Sequence, residues 1–572
     1  MRLYLLSACV AACSIAICCP AYAENYYVDQ AAVNAADTNA GTLAQPWKTI
    51  SRAAAAAELR PGDKVLIKSG VYREAVDVTV SGAPGKPITF AAAPGARVVI
   101  KGSTIVKGDW QPVAGDTTAK EPYPNAFSNI WKIHLDAAYF QDSPPDRHCI
   151  STVYLEDGES LQEIGRDFIY TDPNCLSPVG QTMSDMYLNT FYFDRTTDDL
   201  FIKIDGQPGW SVIEVGTTGF PLQVSNVHDV NIDGIQVRDN RQPGGQWPMC
   251  TVSQCQRVVV ENCSFSDSDF CGLSIDRCED VDVLLCSMNR NGDSGLSFSK
   301  CTDCKADGCL MNGNNTRHFN TGWHAGGSKC IPSNIRVTIE NCEAAYNDGP
   351  GIWFDSDNSD CRIIHDVTHD NNGPGIMYEI NPHGGLIADN LTYRNKGRGI
   401  YVSGSEHVDV VDNTVAENDT GIVIMPREDP YKAQYDLVQD NLFLGNYIAG
   451  DAKFRGCDLT LFLNLDNAGK RGELTNHSNS NLYALEQCKP TVRAEWNNDI
   501  EIGSWQKSFG EDPDSREGSF EYNIFGDAFK ITDPRANVKR AIATPLPAGL
   551  PWKPTHSKLV GSSITSWPAM AP

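Results

Sequence analysis

A short strand that begins with glycine recurs through the centre of this 572-residue chain. Its copies are Gly272–Asp276, Gly295–Ser299, Gly322–Gly326, Gly351–Asp355, Gly375–Glu379, Gly399–Ser403 and Gly421–Met425. The glycines are spaced by 23, 27, 29, 24, 24 and 22 residues. A turn rich in Asn, Asp and Gly precedes most copies, and another strand with alternating apolar residues precedes that turn, as in Val281-Asp-Val283.

A unit of about 24 residues with short strands and no helical periodicity is typical of one coil of a β-solenoid. One coil cannot bury its apolar face alone, so coils stack and share a continuous core. A β-propeller needs a repeat of about 40 residues or more, which this spacing excludes. The sequence therefore predicts an all-β fold, a right-handed parallel β-helix, and the Asn-rich turns suit a ladder of side-chain amides between coils.

The rest of the chain is organised around this array. The alanine-rich stretch Ser51–Leu59 predicts a short helix that caps the open end of the β-helix. The repeat disappears between about 104 and 216, where irregular short strands indicate an inserted, β-sandwich-like domain. The expected segments are a signal peptide (1–23), the N-terminal cap and first coils (24–103), the inserted β-domain (104–215), the central β-helix with the active-site cleft (216–450), C-terminal coils and loops (451–540) and an extended tail (541–572).

The first residues have the pattern of a signal peptide. Arg2 is followed by an apolar run from Leu3 to Ile17 and by the small-residue cleavage site Ala21-Tyr22-Ala23. No later segment approaches the roughly 20 apolar residues that a spanning helix needs. We therefore expect a secreted or periplasmic protein without a membrane span, and a monomer.

The charge of the chain limits the classes of partner. The formal net charge is −25, which argues against nucleic acid or an anionic membrane surface as a partner. It also mildly disfavours a densely anionic polymer as substrate.

Twenty cysteines are present, and sixteen remain once the four in the signal segment are removed. In an exported protein an even number predicts disulfide bonds. The alternative is a stack of buried thiols, because cysteine behaves as a small apolar residue inside a core. Cys301 and Cys304 have the C-x-x-C spacing of a zinc site, but no matching second pair follows, so we expect no metal site there.

Two acidic residues stand out in the repeated strands. If Ile352 and Phe354 point inward, Asp355 points outward, and one coil later Glu379 occupies the same position. Stacked like charges destabilise a sheet, so a chemical role offers a reason for them. A retaining glycosidase needs two carboxyl groups about 5 Å apart, one as nucleophile and one as acid/base. An outward pair that is merely solvated, or that holds Ca²⁺, remains the alternative.

Other residues near this pair are candidates for binding a sugar. Outward aromatic rings can stack on a pyranose, and polar side chains can bind its hydroxyls. The candidates for substrate binding are Trp353, Tyr401, His324, Lys329, Asp357, Asp276 and His383.

These residues resemble a known group of enzymes. Tyr26-Tyr-Val-Asp29, Gly349-Pro-Gly-Ile-Trp-Phe-Asp-Ser-Asp-Asn358 and Gly373-Pro-Gly-Ile-Met-Tyr-Glu379 are similar to segments of β-helix glycosidases, nearest to glycoside hydrolase families 120 and 141. Those families include β-xylosidases and an α-L-fucosidase. The resemblance implies that Asp355 is the nucleophile and that Glu379 is the acid/base. For a hydrolase we expect no cofactor. The density of cysteine departs from the family's usual pattern.

Three functions therefore stay open. The first is a glycoside hydrolase that acts on a plant or algal poly- or oligosaccharide. The second is a polysaccharide lyase, with Lys329 as base and Ca²⁺ held by Asp355, Asp357 and Glu379. The third is a glycan-binding β-helix protein without catalysis. A lyase leaves unsaturated, ultraviolet-absorbing ends, a hydrolase leaves plain reducing ends, and a binding protein leaves neither.

Overall fold

The computed structural model describes residues 23–113, 130–140, 148–155, 160–165, 180–241 and 247–425, with short strands and single positions between 442 and 531. Residues 1–22 of the predicted signal peptide and the predicted tail at 541–572 lie outside the described residues, as does most of the predicted segment 451–540. Within the described ranges, no helix is long and apolar enough to cross a membrane.

The chain winds into a stack of coils, and successive coils add parallel strands to three faces. One face is a thirteen-stranded sheet and another is a ten-stranded sheet. The third face consists of a four-stranded and a seven-stranded sheet, which isolated parallel bridges connect through Ser264, Ser287, Leu310 and Glu343. The predicted parallel β-helix is confirmed.

The elements fall into four groups along the chain. The first coils contain β1 (Asn25–Val28), α1 (Ile50–Ala54), β2 (Lys64–Ile67), β3 (Gly70–Tyr72), β4 (Val76–Val78), β5 (Ile88–Ala92) and β6 (Val98–Lys101). The inserted domain contains β7 (Ser103–Ile105), β8 (Gln111–Pro112), β9 (Ile130–His134), β10 (Val153–Leu155), β11 (Gln162–Glu163), β12 (Thr190–Asp194), β13 (Asp199–Lys203) and β14 (Ile213–Gly216), with 3₁₀ turns at Ala137–Tyr139 and Met183–Asp185.

The central coils are formed by the next group of strands. They are β15 (Leu222–Ser225), β16 (His228–Asp233), β17 (Ile235–Arg238), β18 (Pro248–Ser253), β19 (Gln256–Glu261), β20 (Ser264–Ser266), β21 (Cys271–Asp276), β22 (Glu279–Leu284), β23 (Ser294–Ser299), β24 (Lys305–Asp307), β25 (Gly326–Cys330), β26 (Thr338–Glu340), β27 (Glu343–Ala345), β28 (Ile352–Asp355), β29 (Ser359–Ile364), β30 (Val367–His369), β31 (Ile376–Glu379), β32 (His383–Ala388), β33 (Leu391–Tyr393), β34 (Arg398–Ser403), β35 (Val408–Val411), β36 (Thr414–Ala416) and β37 (Thr420–Met425). The later strands are β38 (Leu442–Leu444), β39 (Tyr447–Gly450), β40 (His477–Asn479), β41 (Leu482–Leu485), β42 (Thr491–Glu495), β43 (Asn498–Glu501), β44 (Arg516–Gly518), β45 (Tyr522–Asn523) and β46 (Lys530–Ile531).

The predicted cap helix is shorter than expected. It spans only Ile50–Ala54, with the Thr49 side chain accepting a hydrogen bond from the Arg52 amide at its start. Beyond Ala54 the chain forms two tight turns, in which the amides of Ala56 and Leu59 each bond the carbonyl three residues back. The helix therefore ends before the predicted Leu59.

One apolar core runs through the β-helix from Val28 to Ile424. Side chains alternate along each strand, so Ile352 and Phe354 of β28 are fully buried. Ile376 and Tyr378 of β31 stack on them in register. Burying a side chain of this size stabilises the fold by about 1.5–3 kcal/mol. The predicted inward positions of Ile352 and Phe354 are confirmed.

Asparagine side chains form hydrogen-bonded ladders at the corners between faces, as the Asn-rich turns predict. Each amide nitrogen donates to the amide oxygen of the asparagine one coil later, at 2.8–3.0 Å. The longest ladder comprises Asn291, Asn314, Asn347, Asn371, Asn395 and Asn418. These bonds satisfy buried polar groups and fix the register between coils.

Cysteines occupy the same corner positions in the earlier coils. One asparagine ladder begins at Asn334, and the coils before it have Cys255, Cys278 and Cys301 at the same corner. The side-chain oxygen of Asn334 accepts a hydrogen bond from the Cys301 amide at 3.0 Å. Cys263, Cys286, Cys309 and Cys342 occupy the equivalent positions at a second corner.

The prediction of disulfide bonds is wrong for the described cysteines. All thirteen of them are free and buried. Ten of the thiols donate to main-chain carbonyl oxygens, as from Cys255 to Val224 at 3.4 Å. The alternative of buried thiols describes them, because the corner needs a small side chain with one donor. Cys175, Cys457 and Cys488 lie outside the described residues.

Asp366 occupies an asparagine position in a ladder. Its Oδ1 accepts from the Cys342 amide at 2.7 Å, and its own amide donates to Asn390 at 2.8 Å. Its Oδ2 is buried without a hydrogen bond. Burial raises the pKa of Asp366 well above its ordinary value, so the carboxyl group is disfavoured as a charged group there.

We expect Asp366→Asn to stabilise the protein at pH 7 by at least about 1 kcal/mol, because the amide can donate where Oδ2 cannot. A raised folded-state pKa means that the stability of the wild-type protein is fully present below pH about 4 and falls as pH rises. The gain should therefore grow from pH 4 to pH 8 in guanidinium unfolding. The reverse change one coil later, Asn390→Asp, should destabilise with the same pH trend, and a loss of stability in Asp366→Asn at pH 7 would contradict the expectation.

The predicted strand Gly322–Gly326 is wrong. Residues before Gly326 form a turn, and the strand of this coil is β25, Gly326–Cys330. The coil is longer than its neighbours because an extra loop precedes the strand. Lys329 pairs with Trp353 and Cys330 pairs with Phe354. Ile331, the next residue, therefore lies beside Asp355, at the position that the predicted strand gives to Gly326.

The inserted domain interrupts the stack without disturbing it. Its described strands form a three-stranded antiparallel sheet and a five-stranded mixed sheet with a separate apolar core. The strands β4, β5 and β6 pair directly with β15, β16 and β17, so the β-helix resumes at Leu222. At the junction, the Gly102 carbonyl accepts from the amides of Thr217 and Thr218, both at 2.9 Å.

A buried ionic network fastens this junction. Glu214 of β14 accepts from both terminal nitrogens of Arg73, at 3.0 and 2.8 Å, and from Lys101 at 3.0 Å. Ser103 also donates to it, and Lys101 pairs with Asp239 at 2.8 Å. Burial by itself raises the pKa of Glu214, but these hydrogen bonds outweigh that effect and lower the pKa to about 2.

We expect Glu214→Gln to destabilise the protein by about 3 kcal/mol at pH 7, since breaking a buried ion pair strands its cations. A lowered folded-state pKa gives stability that is present above pH about 4.5 and is lost as pH falls towards 2. Wild-type stability should therefore drop through that window, and the variant should show a smaller drop. Glu58→Gln removes an exposed pair with Arg52 and should cost under about 1 kcal/mol; equal losses in both variants would contradict a special role for Glu214.

Candidate active site

A groove of about 1120 Å³ crosses the outer face of the ten-stranded sheet. Its floor consists of outward side chains of the strands, namely Gln223, Ser225, Thr251, Ser253, Ser274, Asp276, Ser297, Ser299, Asp355 and Glu379. The amino-side wall consists of residues that precede the strands, Phe220, Trp247, Gly322, Trp323 and His324. The carboxyl-side wall consists of residues that follow the strands, Arg277, Ile331, Pro332, Ser333, Ser356, Asp357 and Ile380.

The two predicted carboxylates meet in this groove. Asp355 ends β28 and Glu379 ends β31, and the two residues are direct partners in the parallel register. Neighbouring strands lie about 4.8 Å apart. Both side chains line the groove, although Asp355 is only 7% exposed and Glu379 only 6%. The groove therefore contains two neighbouring carboxyl groups that are largely shielded from solvent. The catalytic roles assigned to them stay a prediction.

Asp355 is held at both carboxylate oxygens. The Lys329 ammonium donates to Oδ2 at 2.7 Å and the Ser356 hydroxyl donates to Oδ1 at 2.9 Å. These two hydrogen bonds fix the orientation of the carboxylate. The Asp355 carboxylate is therefore held in one position beside Glu379.

Lys329 itself is completely buried. Its ammonium lies 2.8 Å from the centre of the Trp353 ring, a cation–π contact. Burial lowers the pKa of Lys329, and the charges of Asp355, Glu379 and Asp293 oppose that shift. The site is therefore a compact group of one buried cation and several acids.

A stacked Asp and Glu are not unique to the groove. Asp307 and Glu340 are register partners on the thirteen-stranded sheet, where their side chains are 33% and 29% exposed and Lys305 lies within 4.0 Å of each. Stacked like charges alone therefore do not mark a catalytic site in this fold. Burial and a shared groove distinguish Asp355 and Glu379.

His324 faces the groove from the amino-side wall. Its Nδ1 lies 2.5 Å from Oδ1 of Asp293, which is fully buried. Because Nδ1 is engaged there, Nε2 is the ring nitrogen that can serve the groove. The pair places a polar, oriented imidazole near the carboxylates.

Three predicted substrate-binding residues do not line the groove. Trp353 is outward in register but only 1% exposed, because its ring lies beneath the Lys329 ammonium, so the prediction that it stacks on a sugar is wrong. Lys329 is enclosed with it. Tyr401 is half-buried beneath the Arg398 guanidinium, 4.1 Å from the ring centre.

The remaining candidates are divided between two faces. Asp276 lies on the groove floor three strands from Asp355 and pairs with Arg277 at 2.7 Å. Asp357 is on the carboxyl-side wall. His383 begins β32 in the thirteen-stranded sheet and is exposed there, so its predicted place near the carboxylates is wrong.

The aromatic residues of the groove were missed from the sequence. Trp247 is 58% exposed and contacts Phe220 edge to face, at 6.2 Å between ring centres. Trp323 is anchored by Phe319 at 6.2 Å and by Phe270 at 6.3 Å. Trp247 directly precedes a strand of the β-helix, and that position was the available signal. Trp323 falls inside the wrongly predicted strand Gly322–Gly326, although it too precedes the actual strand.

No cluster of three or more His, Cys, Asp or Glu within the described residues is arranged to hold a metal ion.

Comparison with known proteins agrees with the fold. A family model described as "Right handed beta helix region" matches residues 211–335 and 320–464, in agreement with the predicted right-handed coil. A stretch of 78 residues is 37% identical to the uncharacterized protein YwoF of Bacillus subtilis (strain 168). That match covers 14% of this chain and spans only 16% of the relative's length.

Two solved structures share the architecture over most of the chain. One is described as the complex structure of XylC with xylose, with a TM-score of 0.62, 15% identity and 88% of each chain covered. The other is described as a glycoside hydrolase, with a TM-score of 0.54, 11% identity, and coverage of 76% of this chain and 98% of that chain. At these identities the likeness concerns the fold.

Proposed function

We propose that this protein is a glycoside hydrolase that cleaves a plant or algal poly- or oligosaccharide with retention of anomeric configuration. The observation that carries the proposal is the pairing of Asp355 with Glu379 in register, both sheltered in one groove. The coil spacing of about 4.8 Å suits the roughly 5 to 5.5 Å that separates the two carboxyl groups of a retaining glycosidase.

The contacts of Asp355 support its role as the nucleophile. Oriented by Lys329 and Ser356, its carboxylate attacks the anomeric carbon and forms a glycosyl ester. Glu379 donates its proton to the departing glycosidic oxygen, so the leaving sugar departs as a neutral alcohol. Glu379 then removes a proton from water, which attacks the same carbon, releases the sugar and restores both carboxyl groups.

The similar folds support a carbohydrate substrate. The structure with the higher TM-score is a complex with xylose, and the other is described as a glycoside hydrolase. Export to the periplasm or the medium agrees with such a substrate, and the sequence pattern of residues 1–23 favours it.

The alternative lyase is less well supported by the contacts. A lyase base must reach the proton next to a uronate carboxylate. Lys329 is enclosed between Trp353 and Asp355 and does not line the groove, so a substrate in the groove does not meet it in this conformation.

The products of the reaction test the proposal. Plant and algal polysaccharides and aryl glycosides are incubated with the full-length protein, and new ends are analysed. We expect plain reducing ends, no rise in absorbance at ultraviolet wavelengths, and an initial product with the anomeric configuration of the substrate by proton NMR. Unsaturated ends would establish a lyase, an inverted product would overturn the retaining mechanism, and intact substrates throughout would favour a binding protein.

A further inference from the structure

The groove extends far beyond the carboxylate pair, and in one direction. Its floor continues from Asp355 of β28 across β25, β23 and β21 to β18 and β15, through successive parallel partners. The four strand steps from β28 to β18 cover about 19 Å at roughly 4.8 Å each. One pyranose unit of an extended glycan is about as long as one such step, so several sugar units fit along this floor.

The composition of the floor suits sugar hydroxyls. Serines and a threonine occupy most outward positions, namely Ser225, Thr251, Ser253, Ser274, Ser297 and Ser299. Their small side chains leave the space of the groove open, and each hydroxyl can both donate and accept a hydrogen bond.

The two walls of the groove differ in character. The amino-side wall presents the rings of Trp247 and Trp323, while the carboxyl-side wall is mainly polar. Such a groove fits a pyranose chain, which has apolar faces of C–H groups and edges of hydroxyls. Trp247 lies before β18, at the end of the groove away from Glu379, and its 58% exposed ring rests on Phe220.

The charges along the groove argue against an anionic glycan. Among the described lining residues, the cationic group is Arg277, which pairs with Asp276 at 2.7 Å. His324 is engaged with Asp293. Asp276, Asp355, Asp357 and Glu379 leave the lining with an excess of acidic side chains, so carboxylates or sulfates on a substrate would be repelled.

We propose that this groove binds a neutral glycan chain that extends from the carboxylate pair towards β18, and that Trp247 is a distal subsite on which a remote sugar ring stacks. The proposal rests on the proposed function, because that function places the cleaved bond at the carboxylate pair. The affinity for glycans of different length is nevertheless measured independently of hydrolysis. A distal subsite adds binding energy only for chains long enough to reach it.

Calorimetry with the full-length Glu379→Gln protein tests the subsite. The probes are neutral oligosaccharides of xylose, glucose, mannose or galactose with two to six units, with oligogalacturonates as the anionic arm. We expect the affinity for one neutral series to rise with length up to five or six units. Trp247→Ala should weaken the longest members about five- to tenfold, the size of one aromatic contact, and leave the disaccharide unchanged.

Matched variants make this result specific. Trp210→Ala removes another tryptophan, 74% exposed, from outside the groove and should change no affinity, whereas Trp247→Phe should retain most of the increment. The inference would be overturned if Trp247→Ala weakened binding equally at every length, or if Trp210→Ala had the same effect. It would also be overturned if oligogalacturonates bound more tightly than the neutral series, or if no neutral series bound. Length-dependent binding without hydrolysis by the wild-type protein would overturn the proposed function alone, and hydrolysis of aryl glycosides without any length dependence would overturn the subsite alone.

Discussion

Asp355→Asn is expected to abolish turnover, with a fall in kcat of about 10⁴-fold or more, because an amide cannot form the glycosyl ester. Glu379→Gln should behave differently. It loses about 10²- to 10⁴-fold on natural glycosides, which need a proton on the leaving oxygen, and far less on aryl glycosides whose leaving group is already a weak base. When rates are measured for a series of aryl glycosides, they should therefore depend steeply on the basicity of the leaving group in Glu379→Gln, but not in the wild type.

The chain contains its own control for this experiment. Asp307 and Glu340 form a stacked pair of the same residue types on the thirteen-stranded sheet. Asp307→Asn and Glu340→Gln should leave kcat within about twofold of the wild type, as expected for side chains outside the active site. Comparable losses at both pairs would mean that the rates report stability and not chemistry, and full activity in Asp355→Asn would exclude it as nucleophile.

Lys329→Met is expected to reduce kcat by about 10²-fold, because Asp355 loses the cation that orients it. The loss should fall on kcat and leave KM within about twofold of the wild type, because Lys329 is enclosed and does not line the groove. The variant should also unfold about 3 kcal/mol more easily, since a buried carboxylate is left without its partner. The measurements are kcat, KM and guanidinium unfolding, all at pH 7.

Two variants separate positioning from mere stability. Lys305→Met removes the lysine beside Asp307 and Glu340 on the other sheet and should alter neither KM nor kcat. In the double variant Lys329→Met/Asp355→Asn the stability losses should fall short of additive, because each change removes the same ion pair. An unchanged kcat in folded Lys329→Met would show that this lysine has only a structural role.

The sequence was sufficient for the fold and for the carboxylate pair. A spacing of 24 residues between Asp355 and Glu379 equals one coil, and period-two alternation sets which side chains leave the core. Both facts are local, so the register of β28 on β31 followed from them. The repeat failed at Gly322–Gly326, where an extra loop lengthens the coil, because a glycine before an apolar residue occurs in turns as well as in strands.

The immediate surroundings of the pair depended on three dimensions. Alternation places Trp353 outward but says nothing of what covers it. Its contact with Lys329 buries both side chains. Trp247 and Trp323 lie before their strands, where no periodicity applies. The oxidation state of the cysteines was ambiguous for a related reason. The sequence repeat places a small residue at each corner, and it is the same for a free thiol and for a cysteine in a disulfide.

At the junction near Gly102, coils that are neighbours in the stack are far apart in the sequence. Val76 pairs with Leu222 and Ile88 with Val230, whereas each central coil pairs with residues only about one repeat later in sequence. Closing a long loop costs little more free energy than closing a short one, because the cost rises with the logarithm of its length. Contacts between distant residues nevertheless slow folding. The central coils can thus assemble from near neighbours first, and the amino-terminal coils, with their cap helix, join once the inserted domain has brought its two ends together.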